Sequence, residues 1–73
     1  MKVFILMNYV EGCGMALMSL HETVYSALGQ KTEDYSKWNE VNSSNPNDPC
    51  YSCTSIGESQ YDGLLVFYKE VQD

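Results

Sequence analysis

The sequence predicts an α+β domain in which a small antiparallel four-stranded sheet carries one main helix, in the order β-β-α-loop-β-β. Runs of strand-forming residues lie near both ends of the chain, at 3–10 and 64–71. A Gly-Cys-Gly turn follows the first run, and apolar residues at helical spacing come after it. With 73 residues and 44% hydrophobic content, the chain is predicted to fold as one domain, 1–73.

The first strand is predicted at Val3–Val10. This run is rich in β-formers, and its continuous apolar character is typical of a central strand buried on both faces. Gly12 and Gly14 follow within four residues, and each can adopt positive φ without steric cost. We therefore expect the chain to turn here into a hairpin.

Two rules compete for the segment 15–28. Apolar side chains at helical spacing would allow one helix across the whole stretch. Against this, Ser19 and Glu22 have the Ser-x-x-Glu spacing of a capping box, which marks the start of a helix. We predict a second strand at Met15–Leu20 and a short helix from about Leu20 to Leu28, ended by Gly29 as the C′ residue.

A polar segment at about 30–49 is predicted to run over the surface as a long loop, because it buries too little apolar area to offset its ordering entropy. Within it, Thr32 is predicted to cap a turn of helix. Tyr35 and Trp38 are three residues apart, so such a turn would place them on one face, where we expect both rings to dock on the sheet.

The last part of the chain is predicted to form a second hairpin. A third strand is expected at Tyr51–Ile56, a turn region at Gly57–Gly63 and a fourth strand at Leu64–Val71. Leu65 and Phe67 are candidate core residues of that fourth strand.

The Cys50-Tyr51-Ser52-Cys53 sequence is the most specific candidate for a metal site. Two thiolates at this spacing can bind zinc, with Cys13 and His21 as possible further ligands. A zinc ribbon usually has a second close pair, which this chain lacks, so ordinary thiols and no cofactor are the favoured interpretation. A redox role is disfavoured, because the pair does not precede a helix that would depress a thiol pKa.

The charge of the chain excludes some partners and favours others. It has ten acidic residues and four lysines, a net charge of −6, and no arginine. Arginine is the usual residue for forked phosphate and base recognition, so direct nucleic-acid binding is not expected. No apolar run approaches the length of a membrane span, and a soluble, monomeric protein is predicted. The acidic surface instead favours a protein partner with a basic surface.

No catalytic set is evident, so the chain is predicted not to be an enzyme. His21 lies beside Glu22, but neither a nucleophile elbow nor an oxyanion loop accompanies them. Tyrosine and tryptophan are frequent at protein interfaces because they bury a large area at low entropic cost. Six residues are therefore candidate contacts with a protein partner: Tyr9, Glu11, Glu33, Asp34, Tyr35 and Trp38.

The chain resembles the small phage-encoded transcription regulators that bind bacterial RNA polymerase, the antitermination and promoter-shutoff factors of Xanthomonas phages. The resemblance lies in its length, its acidity without arginine, the opening residues Met1–Leu6 and the later Ser19–Glu22 segment. It implies a cytoplasmic bacteriophage protein in the host cell that docks on the large polymerase subunits, inhibits initiation and promotes antitermination. Docking by addition of a polymerase strand to a sheet edge would use the six candidate residues.

Two other classes of function share these features. An acidic inhibitor of a host nuclease or defence complex would have the same surface charge and would differ only in its partner. A small zinc-stapled interaction domain would instead bind one equivalent of metal and unfold in chelator.

Overall fold

The structure is a computed structural model that describes residues 1–57 and 62–72. Its elements are β1 (Lys2–Val10), β2 (Gly14–His21), α1 (Val24–Leu28), β3 (Asn39–Glu40), β4 (Tyr51–Thr54) and β5 (Asp62–Glu70). The strands form one antiparallel sheet in the order β2-β1-β5-β4-β3. The α+β prediction with one short helix is confirmed, but the sheet has five strands and not four.

The fifth strand lies inside the predicted long loop. β3 pairs with β4, and Tyr35 forms an isolated bridge with Ser55. The amide of Ser36 donates to the Thr54 carbonyl at 2.8 Å, which extends this edge pairing towards the helix. Such pairing uses backbone donors and acceptors, so a polar sequence does not prevent it. The segment predicted as a long surface loop, at about 30–49, therefore also contributes the two-residue strand β3 to the sheet.

The second strand is confirmed, and the single helix across 15–28 is not formed. Ser19 lies in β2 opposite Leu6, so it does not cap the helix, and the predicted capping box was wrong. Thr23 is the N-cap, and its Oγ1 accepts from the Ser26 amide at 3.2 Å. Pairing with β1 keeps the chain extended through His21, which delays the start of α1. Gly29 ends α1 as expected, but with φ −69° and not in the left-handed region.

The second hairpin is only partly as predicted. β4 is two residues shorter than the predicted third strand, and β5 begins two residues before the predicted fourth strand. Gly63, expected in the turn, is therefore a residue of β5. The rest of the predicted turn overlaps residues 58–61, which lie outside the described part of the chain.

One face of the sheet, here called the covered face, carries the core. Leu6, Leu64, Val66 and Cys53 are buried there beneath Ala27 of α1. Tyr35 and Trp38 pack against this cluster, as the sequence predicted, although no helix forms around them. Around Thr32 the chain forms a turn, closed by the Tyr35 amide, which donates to the Thr32 carbonyl at 3.3 Å.

The other face, here called the open face, is also apolar. Because successive side chains of a strand point to opposite faces, the strand registers place eight large apolar side chains here: Ile5, Met7, Tyr9, Met15, Leu17, Leu20, Leu65 and Phe67. Leu65 and Phe67, the predicted core candidates, are half-buried on this face, whereas Leu64 and Val66 are fully buried. In residues 1–57 and 62–72 no helix is long and apolar enough to cross a membrane.

Candidate functional site

A groove of about 610 Å³, here called the hairpin groove, lies at the end of the open face where β1 turns into β2. Gly12 and Gly14 have φ of 85° and 89°, a conformation that other residues rarely adopt. The Cys13 amide donates to the Val10 carbonyl at 2.9 Å and closes the turn. The glycine turn predicted from the sequence therefore shapes one end of the groove. The residues that line it are Tyr9, Val10, Glu11, Gly12, Gly14, Met15 and Leu65.

The position of the Tyr9 ring depends on the absence of a side chain at Gly63. These two residues face each other across β1 and β5. A Cβ atom at position 63 would meet the Tyr9 ring and would lie 2.5 Å from the Cys53 carbonyl oxygen. The ring thus fills the space that glycine leaves, a cross-strand arrangement that also shields the glycine backbone. Tyr9 is in this way held over β5 as one wall of the hairpin groove.

The hairpin groove combines apolar walls with an acidic rim. Tyr9, Met15 and Leu65 provide large apolar side chains, and Glu11 is the one charged residue in the part of the lining that the structure describes. Among the described residues that line it, none is a histidine or cysteine, and the Tyr9 hydroxyl is the one side-chain hydroxyl. Such a groove can accept an apolar side chain of a partner and attract a neighbouring cation.

A second groove of about 610 Å³, here called the loop groove, lies at the other end of the open face. Its floor includes Ile5 and Phe67, and the polar segment 43–49 forms one wall. That segment is braced internally, since the Ser43 hydroxyl donates to Asp48 Oδ2 at 2.5 Å. The loop therefore borders the open face at this end. At the other end, the described residues that line the hairpin groove include none from this loop.

The six predicted contact residues do not lie together. Tyr9 and Glu11 line the hairpin groove, whereas Glu33 and Asp34 lie in an exposed turn after α1. Tyr35 and Trp38 pack against the core of the covered face, and Trp38 Nε1 donates to the Leu28 carbonyl at 3.0 Å. These two rings thus have a structural role, and a partner role for any of the six residues stays a prediction.

Met15 and Leu65, the other two large apolar residues of the groove, were not among the six predicted contacts, and Leu65 was predicted to be a core residue. Alternation alone could not identify them, because β5 is apolar at successive positions and either face could have been the covered one. For Met15 the sequence did contain a signal. Met15 directly follows the glycine turn and lies opposite Tyr9 in the hairpin, so the two side chains point to the same face of the sheet.

The candidate metal ligands are also dispersed. Cys50 and Cys53 are three residues apart in extended chain, so their side chains point to opposite faces of the sheet. Cys53 is buried in the core, where burial raises the pKa of its thiol, and Cys50 lines the loop groove. Cys13 is exposed in the hairpin turn. Among residues 1–57 and 62–72, no three His, Cys, Asp or Glu side chains gather as a metal site would require.

His21 connects the sheet to the helix. Its Nε2 is 2.6 Å from the Ser19 hydroxyl and its Nδ1 is 2.8 Å from the Ser26 hydroxyl. A serine hydroxyl on a histidine nitrogen is the contact that many hydrolases use. Here, however, neither the hairpin groove nor the loop groove includes these residues. These contacts join α1 to β2. They were not predicted, because Ser19 was predicted to cap the helix.

The comparisons with known proteins yield no relative for this chain: no protein-family model, no curated protein and no solved structure matches it. The fold and the grooves of the sheet are therefore the basis on which a function is argued.

Proposed function

We propose that the protein is a non-catalytic binding module that docks on a larger protein through the open face, with the hairpin groove as its anchor. The observation that supports this proposal is the exposure of the open face on β2. Met15, Leu17 and Leu20 are exposed to 57%, 59% and 60%. A contiguous patch of exposed, large apolar side chains usually marks a surface that binds a partner.

The free energy available from this surface is enough for a specific contact. Complete burial of a leucine or methionine side chain contributes about 1.5–3 kcal/mol. These three side chains are more than half exposed, so covering them would contribute about 1–2 kcal/mol each. Tyr9 and Leu65 in the adjoining groove would add to this when a partner side chain inserts between them.

The charge of the protein defines the kind of partner. Glu11 at the rim of the hairpin groove and the net charge of −6 both favour a basic surface. A chain without arginine has no side chain for bidentate contacts to phosphate. A protein that itself handles nucleic acid has the required basic surface, and the docking module need not touch the nucleic acid.

The partner that we propose is bacterial RNA polymerase, in the cytoplasm of a phage-infected host. This identity rests on the resemblance in length and acidity to phage transcription regulators. The proposed action is stoichiometric: the bound module opposes initiation and allows elongating polymerase to pass terminators. An edge-strand mode of docking was predicted from the sequence, but the open face offers the larger apolar surface, and we propose that it is the docking surface.

Binding to purified RNA polymerase tests the proposal. The tagged protein is immobilised and titrated with Xanthomonas core enzyme, and the same titration is made with Glu11→Lys and, as a matched control, Glu22→Lys. Both glutamates are exposed, but only Glu11 lines the hairpin groove. We expect saturable binding that Glu11→Lys weakens about tenfold, equivalent to about 1.4 kcal/mol, and that Glu22→Lys leaves unchanged.

A transcription assay on a template with a terminator completes the test, with fewer initiated transcripts and more read-through expected. If the core enzyme does not bind, the polymerase is not the partner. If Glu11→Lys and Glu22→Lys behave alike, the hairpin groove is not the anchor.

A further inference from the structure

In the part of the chain that the structure describes, no strand pairs with the outer edge of β2. The sheet has two edge strands, and β3 at the far side is only two residues long. β2 has eight residues, Gly14–His21, and contains no lysine, no acidic residue and no proline. Natural sheets usually protect a long edge with such residues, because unpaired backbone donors and acceptors would otherwise bind another strand. Apart from a bulge at Met18, the edge lacks the features that usually protect an edge strand, and it is therefore open to pairing.

The bulge in β2 makes the strand complementary to an antiparallel copy of itself. In an eight-residue strand with strict alternation, the first and last residues lie on opposite faces of the sheet. If such a strand paired along its full length with an antiparallel copy, each residue would lie opposite one that points to the other face, which a sheet does not allow. Met18 is an extra residue between the partners of Leu6 and Met7. Because of this extra residue, the alternation of faces shifts by one position at Met18. Residues at equal distances from the centre of the strand therefore point to the same face. The pairs brought together are Gly14 with His21, Met15 with Leu20, and Ala16 with Ser19.

We propose that β2 pairs with β2 of a second copy of this chain, about a two-fold axis between Leu17 and Met18. Pairing at this register sets the apolar Met15 of one copy against Leu20 of the other on the open face. A two-fold axis perpendicular to the sheet keeps equivalent faces on the same side. The dimer then has a continuous ten-stranded sheet, with both helices on one side and both open faces on the other.

The charge distribution permits a second copy at this edge although each copy is acidic. Every copy has a net charge of −6, so contact through an acidic surface would be repulsive. β2 contains no charged residue, and its pairing places no like charges opposite one another. A basic partner, by contrast, would gain nothing electrostatic from this strand.

The size of the interface sets the expected affinity. A stable interface of standard size buries roughly 800 Å² per partner, about 15% of the 5322 Å² surface of this protein. One strand edge, with Met15, Leu17, Met18 and Leu20 as its exposed large side chains, is smaller than that. In place of the monomer predicted from the sequence, we therefore expect a reversible dimer that dissociates in the micromolar range.

Sedimentation equilibrium over micromolar concentrations tests this inference. Leu17→Lys and Leu17→Glu each place like charges beside the axis, on a side chain that is 59% exposed in the monomer. Each variant alone is expected to be monomeric, and an equimolar mixture is expected to recover the dimer, because the two charges then attract. Tyr25→Lys, at an 82% exposed position of α1, is the matched control and should dimerise as the wild type does.

Far-UV circular dichroism confirms that each variant is folded. A wild type that stays monomeric throughout the micromolar range would overturn the proposal. A Leu17→Lys protein that dimerises as strongly as the control, or a mixture that stays monomeric, would overturn it as well. Polymerase binding by Glu11→Lys is a separate readout, so failure of either proposal can be distinguished from failure of the other.

Discussion

The substitution Gly63→Ala tests how the hairpin groove is built. The new Cβ would lie 2.5 Å from the Cys53 carbonyl oxygen and would also meet the Tyr9 ring. Ordinary contact distances for a Cβ atom are 3.4–4 Å, so the overlap approaches an ångström. The ring can rotate, but the carbonyl belongs to the paired strand β4 and cannot. Relief therefore requires β4 and β5 to separate locally, and the ring of Tyr9 to leave the groove wall.

The expected loss of stability combines two opposing effects. Overpacking in a well-packed region costs about 1–3 kcal/mol, and replacing a strand glycine recovers about 0.5–1 kcal/mol of unfolded-state entropy. The difference is about 0–2.5 kcal/mol. Because one of the clashing atoms is a backbone oxygen at 2.5 Å, we expect the upper part of this range, about 1–2 kcal/mol. For a domain of this length, 1 kcal/mol lowers the melting midpoint by about 4–8 °C, so we expect a decrease of about 5–15 °C.

Thermal denaturation followed by circular dichroism measures the change, with Gly57→Ala as the matched control. A Cβ at position 57 would find only the Ser55 hydroxyl, at 3.9 Å, and its backbone needs no positive φ. This control should melt within about 3 °C of the wild type. If Gly63→Ala melts together with Gly57→Ala, the close approach of Tyr9 and Cys53 to the glycine is wrong.

Three further outcomes follow from burial and capping. Leu6→Ala, at a fully buried position, should cost about 2–5 kcal/mol in urea denaturation, whereas Leu17→Ala, at a 59% exposed one, should cost less than about 1 kcal/mol; equal losses would contradict the assignment of the two faces. Thr23→Ala should cost about 1 kcal/mol by loss of the N-cap of α1, and an unchanged midpoint would contradict that cap. Burial raises the pKa of Cys53 from 9.0, so the thiol ionises first in the unfolded chain, and the free energy of unfolding falls as pH rises above 9.0. Cys53→Ala should remove this dependence on pH, and iodoacetamide should label the exposed Cys13 before the buried Cys53.

The strongest strands could be predicted from sequence because each is specified locally. β1 and β5 are long runs of β-formers, and the hairpin between β1 and β2 follows from two glycines at positive φ. β3 could not be predicted in the same way, because its two residues pair through backbone groups alone. The start of α1 was misplaced for a related reason. A capping spacing at Ser19 is a local signal, and the ladder with β1 overrides it.

The candidate site was less predictable than the fold, because it depends on which face of the sheet the helix covers. β5 is apolar at successive positions, so its period does not distinguish Leu64 and Val66 from Leu65 and Phe67. Tyr9 and Glu11 could be chosen by residue type, and both line the hairpin groove. The absence of arginine, by contrast, could be read from the sequence alone, and the structure adds that apolar side chains border the acidic residue of the groove.

Quantitative capture from a bacterial lysate tests most directly whether the open face is a docking surface. Tagged wild type is compared with a Tyr9→Ala, Glu11→Lys double variant, after circular dichroism has shown that both are folded. We expect the large subunits of RNA polymerase to be enriched by the wild type and lost with the variant. If a nuclease or defence complex is enriched by the wild type and lost with the variant, docking through the open face is supported, but RNA polymerase is not the partner. No protein enriched by the wild type over the variant would contradict docking through this face.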